Sequence, residues 1–284
     1  DVILLHQYFP QGEKGAFLFL RWVDQFLPLA FTGLFINIGL FAHLVIMWVG
    51  PLQVQVQGLF VGAPYHDVPA LVAFLTILVT TVNFVVSVEV NFYPKYKNYY
   101  SLFNDKGAVG DITQAGEEML KVLNVELKYT ALKQLLATAL AISLGGLLLE
   151  YVPLGFNDLM EGYFRTLCVG YGIYAVANTM LLLLLYFTDY KGALAASGCF
   201  AGGTVLFTVI SLFFPRVYYG FGFLTGSAVF FLIAAFRLDY YTKRLPYYIL
   251  SVQPVVAREK RGKFSRLGFF LSKKLERSQN SEKI

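Results

Sequence analysis

Long apolar runs separated by shorter polar stretches dominate the chain. Each of six runs approaches or exceeds the roughly 20 residues that an α-helix needs to cross the hydrocarbon core of a bilayer. The predicted spans are residues 26–49, 68–90, 129–151, 163–187, 193–214 and 218–236. This pattern predicts an all-α, polytopic membrane protein built as a bundle of six transmembrane helices.

One long polar segment, residues 88–134, interrupts these runs. Between Asn91 and Tyr100 it interleaves Tyr with Lys, which is typical of a helix leaving the membrane interface. Asp111 can cap a new helix, and apolar residues recur at helical spacing from Met119 onward. We expect an amphipathic helix at the membrane surface that continues directly into the third span.

The same pattern predicts how the chain is divided. The expected parts are a cytoplasmic lead-in at 1–25, spans one and two at 26–90, a cytoplasmic loop and amphipathic helix at 91–128, spans three to six at 129–241, and a basic cytoplasmic tail at 242–284. Within the tail, Phe264, Leu267, Leu271 and Leu275 follow helical spacing. A helix on an anionic membrane surface and a solvated, disordered tail both fit this tail sequence.

Composition and charge sharpen the prediction. Hydrophobic residues make up 57% of the chain and charged residues only 14%, whereas a soluble domain carries roughly a quarter charged residues. Of the 23 Lys and Arg residues, only Arg165 and Arg216 fall on the opposite side of the predicted spans from the others. The positive-inside rule therefore predicts that both ends of this chain and segment 91–128 are cytoplasmic.

Motifs of catalysis and of metal binding are missing from the sequence. It contains no P-loop, no HExxH and no GxSxG, and His6, His43 and His66 lack the spacing of metal ligands. Cys168 and Cys199 both lie inside apolar runs, with no CxxC pair. We therefore predict no catalytic residues, no cofactor and no metal site.

Polar side chains at membrane depth are the remaining candidates for function, because such groups are costly in hydrocarbon. Asn37, Asn83, Glu89 and Asn178 are the candidate lining of a substrate path. Asn83, near the middle of span two, is the most informative of them. A hydrogen bond between helices is the alternative role for the Asn residues, and a solvated or Lys-paired carboxylate is the alternative for Glu89.

Small residues recur at a spacing that lets helices approach closely. Gly198 with Gly202, and Gly222 with Gly226, both fit the GxxxG pattern. Glycine is also frequent in membrane helices in general, so either pair can be without a packing role.

Three stretches of the sequence resemble a known family. They are YHDVP at 65–69, VSVEVNFY at 86–93 and KYKNYY at 95–100, and the helix from Asp111 into Leu132-Lys133-Gln134 follows the same pattern. Over essentially its whole length the chain resembles the PelG family of Pel exopolysaccharide export proteins.

The resemblance implies a fold and a function. PelG proteins are similar to the multidrug/oligosaccharidyl-lipid/polysaccharide flippase superfamily, so this chain would be the second six-helix half of a 12-helix transporter. It would pass an N-acetylgalactosamine-rich polymer across the bacterial inner membrane. Its partners would be a cytoplasmic glycosyltransferase like PelF and membrane scaffolds like PelD and PelE.

Two other functions remain open from the residues. An integral-membrane glycosyl or acyl transferase would need paired carboxylates at the interface, and Asp158 with Glu161 is the one close acidic pair on the outer side. The other alternative is a scaffold of a polysaccharide synthase complex that transports nothing itself.

Overall fold

The computed structural model describes residues 17, 19–104, 107–151, 155–252 and 262–281. The chain divides into two compact units. The larger comprises Thr32–Leu245, and the smaller combines Asp1–Phe31 with Pro246–Ile284. The candidate functional site lies in the larger unit.

Helices make up most of the described chain. The α-helices are α1 Leu20–Val49, α2 Pro64–Phe74, α3 Leu78–Val85, α4 Tyr93–Asn104, α5 Val109–Tyr151, α6 Asp158–Tyr186, α7 Tyr190–Ser211, α8 Phe221–Thr242, α9 Leu245–Val252 and α10 Lys263–Ser281. Short 3₁₀ and π segments, Leu75–Ile77 and Val86–Phe92, join α2, α3 and α4 into one long rod, Pro64–Phe103. A third irregular turn, Arg216–Tyr218, precedes α8.

Five helices in the described part of the chain are long and apolar enough to cross a membrane. They are Leu20–Val49, Pro64–Phe103, Asp158–Tyr186, Tyr190–Ser211 and Arg216–Thr242. The prediction of an all-α, polytopic membrane fold is therefore confirmed. The remaining predicted span, 129–151, falls within α5, and its crossing of the membrane stays a prediction. α5 has 43 residues, and at 1.5 Å per residue it is about 65 Å long, far longer than a bilayer is thick.

α6 is the central helix of the larger unit. It packs against α2, α5 and α8, and α8 packs in turn against α7. Of its apolar stretch 72% is buried, against 22% for α1. Fully buried aromatic rings fill the space around it, with the centroids of Phe200 and Phe230 4.8 Å apart and that of Tyr174 5.4 Å from Phe200. This aromatic core fixes α7 and α8 against α6.

α5 presents a row of exposed leucines. Leu132, Leu135, Leu136 and Leu140 are each at least half exposed. Since a row of bare leucines is unfavourable in water and ordinary in lipid, we expect this face to be the lipid-facing side of the helix.

Three local features differ from the sequence predictions or were not part of them. Residues 51–63, between the first two predicted spans, hold a small antiparallel hairpin, β1 Val54–Gln57 with β2 Phe60–Gly62. Gly58, at φ +57, makes its turn. α5 begins at Val109, so Asp111 lies in its first turn and does not cap it. Asp158 and Glu161 are in the first turn of α6, whose cap is Asn157: the Met160 N–H donates to Asn157 Oδ1 at 2.9 Å.

In the smaller unit, α10 contacts the beginning of α1. α1 bends at Phe26 (φ −108, ψ 15), two residues before Pro28. The proline ring has no N–H and clashes with the carbonyl four residues earlier, that of Asp24, which accounts for the bend.

Candidate functional site

A polar seam runs between the rod of α3 and α4 and the antiparallel helix α5. We define it by five side-chain contacts that cross between the two. The pairs are Thr80 with Gln134, Asn83 with Thr130, Asn83 with Lys133, Asn91 with Glu126, and Lys95 with Glu118. The residue numbers rise on one helix as they fall on the other, so the contacts follow the interface from the apolar middle to the polar end. The polar end of the bundle, at which α4 lies, is called the basic end below. The opposite end, at the β1–β2 hairpin, is called the hairpin end.

Asn83 is the centre of the seam. Its Nδ2 donates to Thr130 Oγ1 at 2.8 Å and to Ser87 Oγ at 3.2 Å. Its Oδ1 accepts from Lys133 Nζ at 2.5 Å. The carboxamide therefore uses both its donor group and its acceptor, and it holds a lysine at the edge of the apolar region.

Toward the hairpin end the seam is buried and closely packed. Thr80 Oγ1 donates to Gln134 Oε1 at 2.5 Å, and Gln134 Nε2 reaches Thr138 Oγ1 at 3.2 Å. Gln134 is 1% exposed. A Cβ on Gly172 of α6 would lie 2.6 Å from Thr138 Oγ1, so the glycine makes room for this chain of hydrogen bonds.

Toward the basic end the seam becomes charged and exposed. Asn91 Nδ2 donates to Glu126 Oε1 at 2.8 Å, and Lys95 Nζ lies 2.8 Å from Glu118 Oε2. The hydrogen bond and charge of Lys95 lower the pKa of Glu118 below its ordinary value. The seam thus changes from amides and hydroxyls, with Lys133 among them, to two carboxylates and one ion pair at its end.

The rod is irregular along the seam. A 3₁₀ turn, Leu75–Ile77, precedes Thr80, and the π segment Val86–Phe92 follows Asn83. Glu89 lies inside the π segment and accepts from the hydroxyl of Tyr186 on α6 at 2.9 Å. Such irregular turns are frequent where a helix bends or serves a functional site.

Two spaces adjoin the seam on the side of α6 and α8. A void of about 10 Å³, enough for one water molecule, is lined by Ser87, Glu126, Thr130 and Thr179 among apolar groups. A larger cavity of about 250 Å³ has a floor of apolar residues, including Met180 and Leu238, and a polar rim. The rim consists of Asn124, Asp239, Thr242 and Lys243. Leu123 and Leu127 of α5 line both spaces and separate them.

A second polar cluster lies near the hairpin end. The rings of His43 and His66, both 0% exposed, have centroids 5.1 Å apart, and the Tyr171 hydroxyl lies 3.3 Å from His43 Nε2. Within the described part of the chain, neither ring nitrogen of His66 has a hydrogen-bond partner. Beside them, Asp67 Oδ2 accepts from Trp48 Nε1 at 2.8 Å. Sequence reasoning missed this cluster, because 23 positions separate the two histidines and spacing gave no sign that they meet.

The structure brings two of the four predicted path residues to the seam. Asn83 is its centre, and Glu89 lies on the adjoining π segment. Asn37 is exposed on α1 and donates to the carbonyl of Gly33 in its own helix at 2.8 Å. Asn178 is half-buried on α6 and makes no side-chain hydrogen bond within the described residues. Sequence reasoning missed the partners on α5, Thr130 and Lys133, as members of the site.

The chemistry available elsewhere is limited. Glu161, one of the acidic pair on the outer side, is paired with Arg165. Among the residues that the structure describes, no three His, Cys, Asp or Glu side chains are grouped to hold a metal ion. Cys168 and Cys199 are free thiols.

The apolar helices, their exposed leucines and the polar seam define a multi-pass α-helical membrane protein with a polar interface inside its bundle. The family model PelG, described as "Putative exopolysaccharide Exporter (EPS-E)", matches residues 1–250, and the chain belongs to this family. Membership places it among proteins of exopolysaccharide export. Comparisons with curated proteins and with solved structures found no match.

Proposed function

We propose that the chain carries a Pel-type, N-acetylgalactosamine-rich exopolysaccharide across the bacterial inner membrane while the polymer is being made. In this proposal both ends of the chain and the basic end of the bundle face the cytoplasm. The seam of Asn83, with Glu89, Asn37 and Asn178 as further contributors, offers hydrogen bonds to sugar hydroxyls. The chain itself performs no catalysis.

The observation that carries this proposal is the seam inside a PelG-family bundle. Sugar hydroxyls need both donors and acceptors, and the seam presents amides, hydroxyls and an ammonium group in one row. The irregular turns on either side of Asn83 let the rod bend at this row. A helix interface that opens along the seam would expose these groups to a polymer without exposing them to lipid.

Asn83→Leu tests the path. We expect secretion of polymer to fall at least severalfold, because leucine of similar size removes every hydrogen bond that Asn83 makes and leaves Lys133 without its partner. Secreted polymer is measured in cells in which the variant reaches the membrane in normal amount.

Two matched variants distinguish the loss of a polymer contact at Asn83 from a general loss of helix packing. Thr81 is on the same helix as Asn83, and its hydroxyl donates to the backbone carbonyl of Ile77 one turn earlier. Cells with Thr81→Val should therefore secrete normal amounts of polymer. Thr130→Val removes one partner of Asn83 but leaves the carboxamide in place, and it should lose less than Asn83→Leu. Full secretion by Asn83→Leu would refute the role of Asn83.

We further propose that the exposed face of α4 and the first turns of α5 bind the glycosyltransferase that makes the polymer, a PelF-like protein, with PelD-like and PelE-like scaffolds beside it. The reason is the length of α5, whose polar first half extends beyond the bilayer, with Glu117 and Lys121 exposed on it. Synthesis at this end could push the polymer into the bundle.

The docking proposal is tested by a charge reversal, Glu117→Lys with Lys121→Glu, which leaves the net charge and the buried side of the helix unchanged. Co-purification of the glycosyltransferase should fall severalfold. The same reversal at Asp239 and Lys243, an exposed pair on α8, is the matched control and should leave association unchanged. If the unsubstituted chain and both reversal variants recover equal amounts of the glycosyltransferase, this face of α4 and α5 is not its binding site.

A further inference from the structure

α10 is an amphipathic helix docked against the first turn of α1. Asp24 binds its amino end: the N–H groups of Phe264 and Ser265 donate to Asp24 Oδ1 and Oδ2 at 3.2 and 2.7 Å, and the Ser265 hydroxyl donates to Oδ2 at 2.6 Å. The first N–H groups of a helix have no partner within it, and a carboxylate there also meets the positive end of the helix dipole. Asp24 therefore caps α10 from 240 residues away in the sequence.

Close packing adds to this cap. Gly268 of α10 lies against α1: a Cβ on it would be 2.6 Å from the carbonyl oxygen of Phe17 and 3.3 Å from Leu20. Ser265 and Gly268, one turn apart, thus form the side of α10 that faces the start of α1. The helix is held at two points, at its amino end and one turn further along.

The docking point lies at the level of the membrane interface. Asp24 comes two residues before the apolar stretch that starts at Phe26, and Trp22 beside it is 60% exposed. Exposed Trp next to a span is typical of the headgroup level. A helix bound to Asp24 must therefore lie at the surface of the bilayer.

The side of α10 away from α1 carries bulky apolar residues in the open. Phe264, Leu267 and Phe270 are 39%, 47% and 64% exposed and follow one another at three-residue spacing. Their stripe lies roughly a third of a turn from the side that contacts α1. This arrangement is expected of a helix that contacts the start of α1 on one side and the bilayer surface on another.

Positive charge accompanies the apolar stripe. In helical projection Lys263 falls between Leu267 and Phe270, and Arg266 and Lys273 follow one edge of the stripe; all three are exposed. The sequence of α10 holds five Lys and Arg against one Glu. Aromatic and aliphatic residues flanked by Lys and Arg are what an anionic lipid surface binds, since the apolar groups enter the headgroup layer and the charges meet the phosphates.

We propose that α10 is a binding site for anionic phospholipid, held at the bilayer surface by the Asp24 cap, with Phe264, Leu267 and Phe270 inserted among the acyl chains. The site is separate from the polar seam and independent of the polymer that the bundle carries. It makes the lipid composition of the leaflet a determinant of where the carboxyl-terminal segment lies.

Tryptophan quenching tests this proposal. Leu267→Trp and Phe269→Trp each add one indole on α10, at positions about 200° apart around the helix, and both positions are exposed. The full chain is placed in nanodiscs of phosphatidylcholine with brominated acyl chains, with or without phosphatidylglycerol. Quenching is taken as the difference from the unsubstituted chain, whose Trp22 and Trp48 supply the background.

Leu267→Trp should be quenched several times more strongly than Phe269→Trp, and more strongly with phosphatidylglycerol than without. Adding Lys263→Gln, Arg266→Gln and Lys273→Gln should weaken the dependence on phosphatidylglycerol, because each such charge contributes about fivefold to affinity for an anionic surface. Equal quenching of the two tryptophans, as expected if α10 binds a protein or stays in solvent, would overturn the proposal. Equal quenching of Leu267→Trp in both lipids would overturn the anionic specificity.

A last variant tests the cap. Asp24→Ala in the Leu267→Trp chain should lower quenching, because α10 loses its attachment at the interface. Asp239→Ala, which removes an exposed carboxylate of α8, is its control and should leave quenching unchanged. Unaltered quenching in Asp24→Ala would overturn the anchoring role of Asp24.

Discussion

At the scale of single residues, Asp189 shows how one buried carboxylate joins two helices. It caps α7, since the Gly192 N–H donates to Oδ1 at 3.1 Å, and it receives a two-point hydrogen bond from Arg237 of α8 at 2.6 and 2.9 Å. Its side chain is 5% exposed, whereas that of Arg237 is 31% exposed. One helical turn after Arg237, the Tyr241 hydroxyl donates to the Phe187 carbonyl at 3.1 Å, in the same connection between α6 and α7 that holds Asp189.

Asp189→Ala should therefore be strongly destabilising. The variant removes both hydrogen bonds between Asp189 and the partly buried guanidinium, and α7 loses its cap, so we expect a loss of about 3 kcal/mol in the free energy of unfolding. Asp239→Ala removes the carboxylate of an exposed pair, with Lys243, and should cost less than about 0.5 kcal/mol. Denaturant unfolding in detergent measures both, and similar losses would contradict a special role for Asp189.

At the scale of elements, the packing of α7 on α8 depends on two glycines of α8. A Cβ on Gly226 would lie 2.8 Å from Thr204 Cα, and one on Gly222 would collide with the backbone of Thr208. The backbones of the two helices therefore touch along this line. The other pair at the same spacing is different, because Gly202 has nothing within 4 Å of a Cβ and Gly198 lines an open apolar groove.

Gly226→Ala and Gly202→Ala form a matched pair for this interface. Gly226→Ala should destabilise the bundle by about 2 kcal/mol, because the methyl group forces two backbones apart. Gly202→Ala should be neutral or stabilising, since alanine favours the helix and meets no neighbour. Thermal unfolding in detergent compares them, and equal changes at the two sites would refute close packing at Gly226.

Elements of this fold were predictable to different degrees. Long apolar runs predict helices because only a helix satisfies its backbone groups in lipid. All six predicted spans fall in helices of the structure, and five of these helices are long and apolar enough to cross a membrane. The hairpin at 54–62 escaped prediction because its strands have only four and three residues and its loop carries no Asn-Gly signal. The π segment escaped because nothing in VSVEVNF distinguishes it from an α-helix by composition.

The candidate site was predictable in part for a related reason. Asn83 stands out because a carboxamide at membrane depth is costly unless it has a partner. Its partners lie 47 and 50 residues away on α5, and a single sequence does not show which turn of one helix meets which turn of another. The same holds for His43 and His66, whose contact depends on the packing of α1 against α2 and α6.

At the scale of the whole molecule, charge sets the orientation. Within the described part of the larger unit, Arg165 and Arg216 lie toward the hairpin end, Lys133 bonds Asn83 in the middle of the seam, and the other Lys and Arg residues lie toward the basic end. We propose that the basic end faces the cytoplasm, because positively charged loops remain on that side. The polar seam, the larger cavity and the face proposed for the glycosyltransferase then all open toward the compartment in which the polymer is made.

Cysteine labelling in intact cells tests this orientation most directly. Leu59→Cys, at the 99% exposed tip of the hairpin, and Lys97→Cys, exposed on α4, are placed separately in a chain whose Cys168 and Cys199 are replaced by Ala. A membrane-impermeant maleimide should label Leu59→Cys in intact cells and Lys97→Cys only after lysis. Labelling of Lys97→Cys in intact cells would contradict both the orientation and the proposed direction of export.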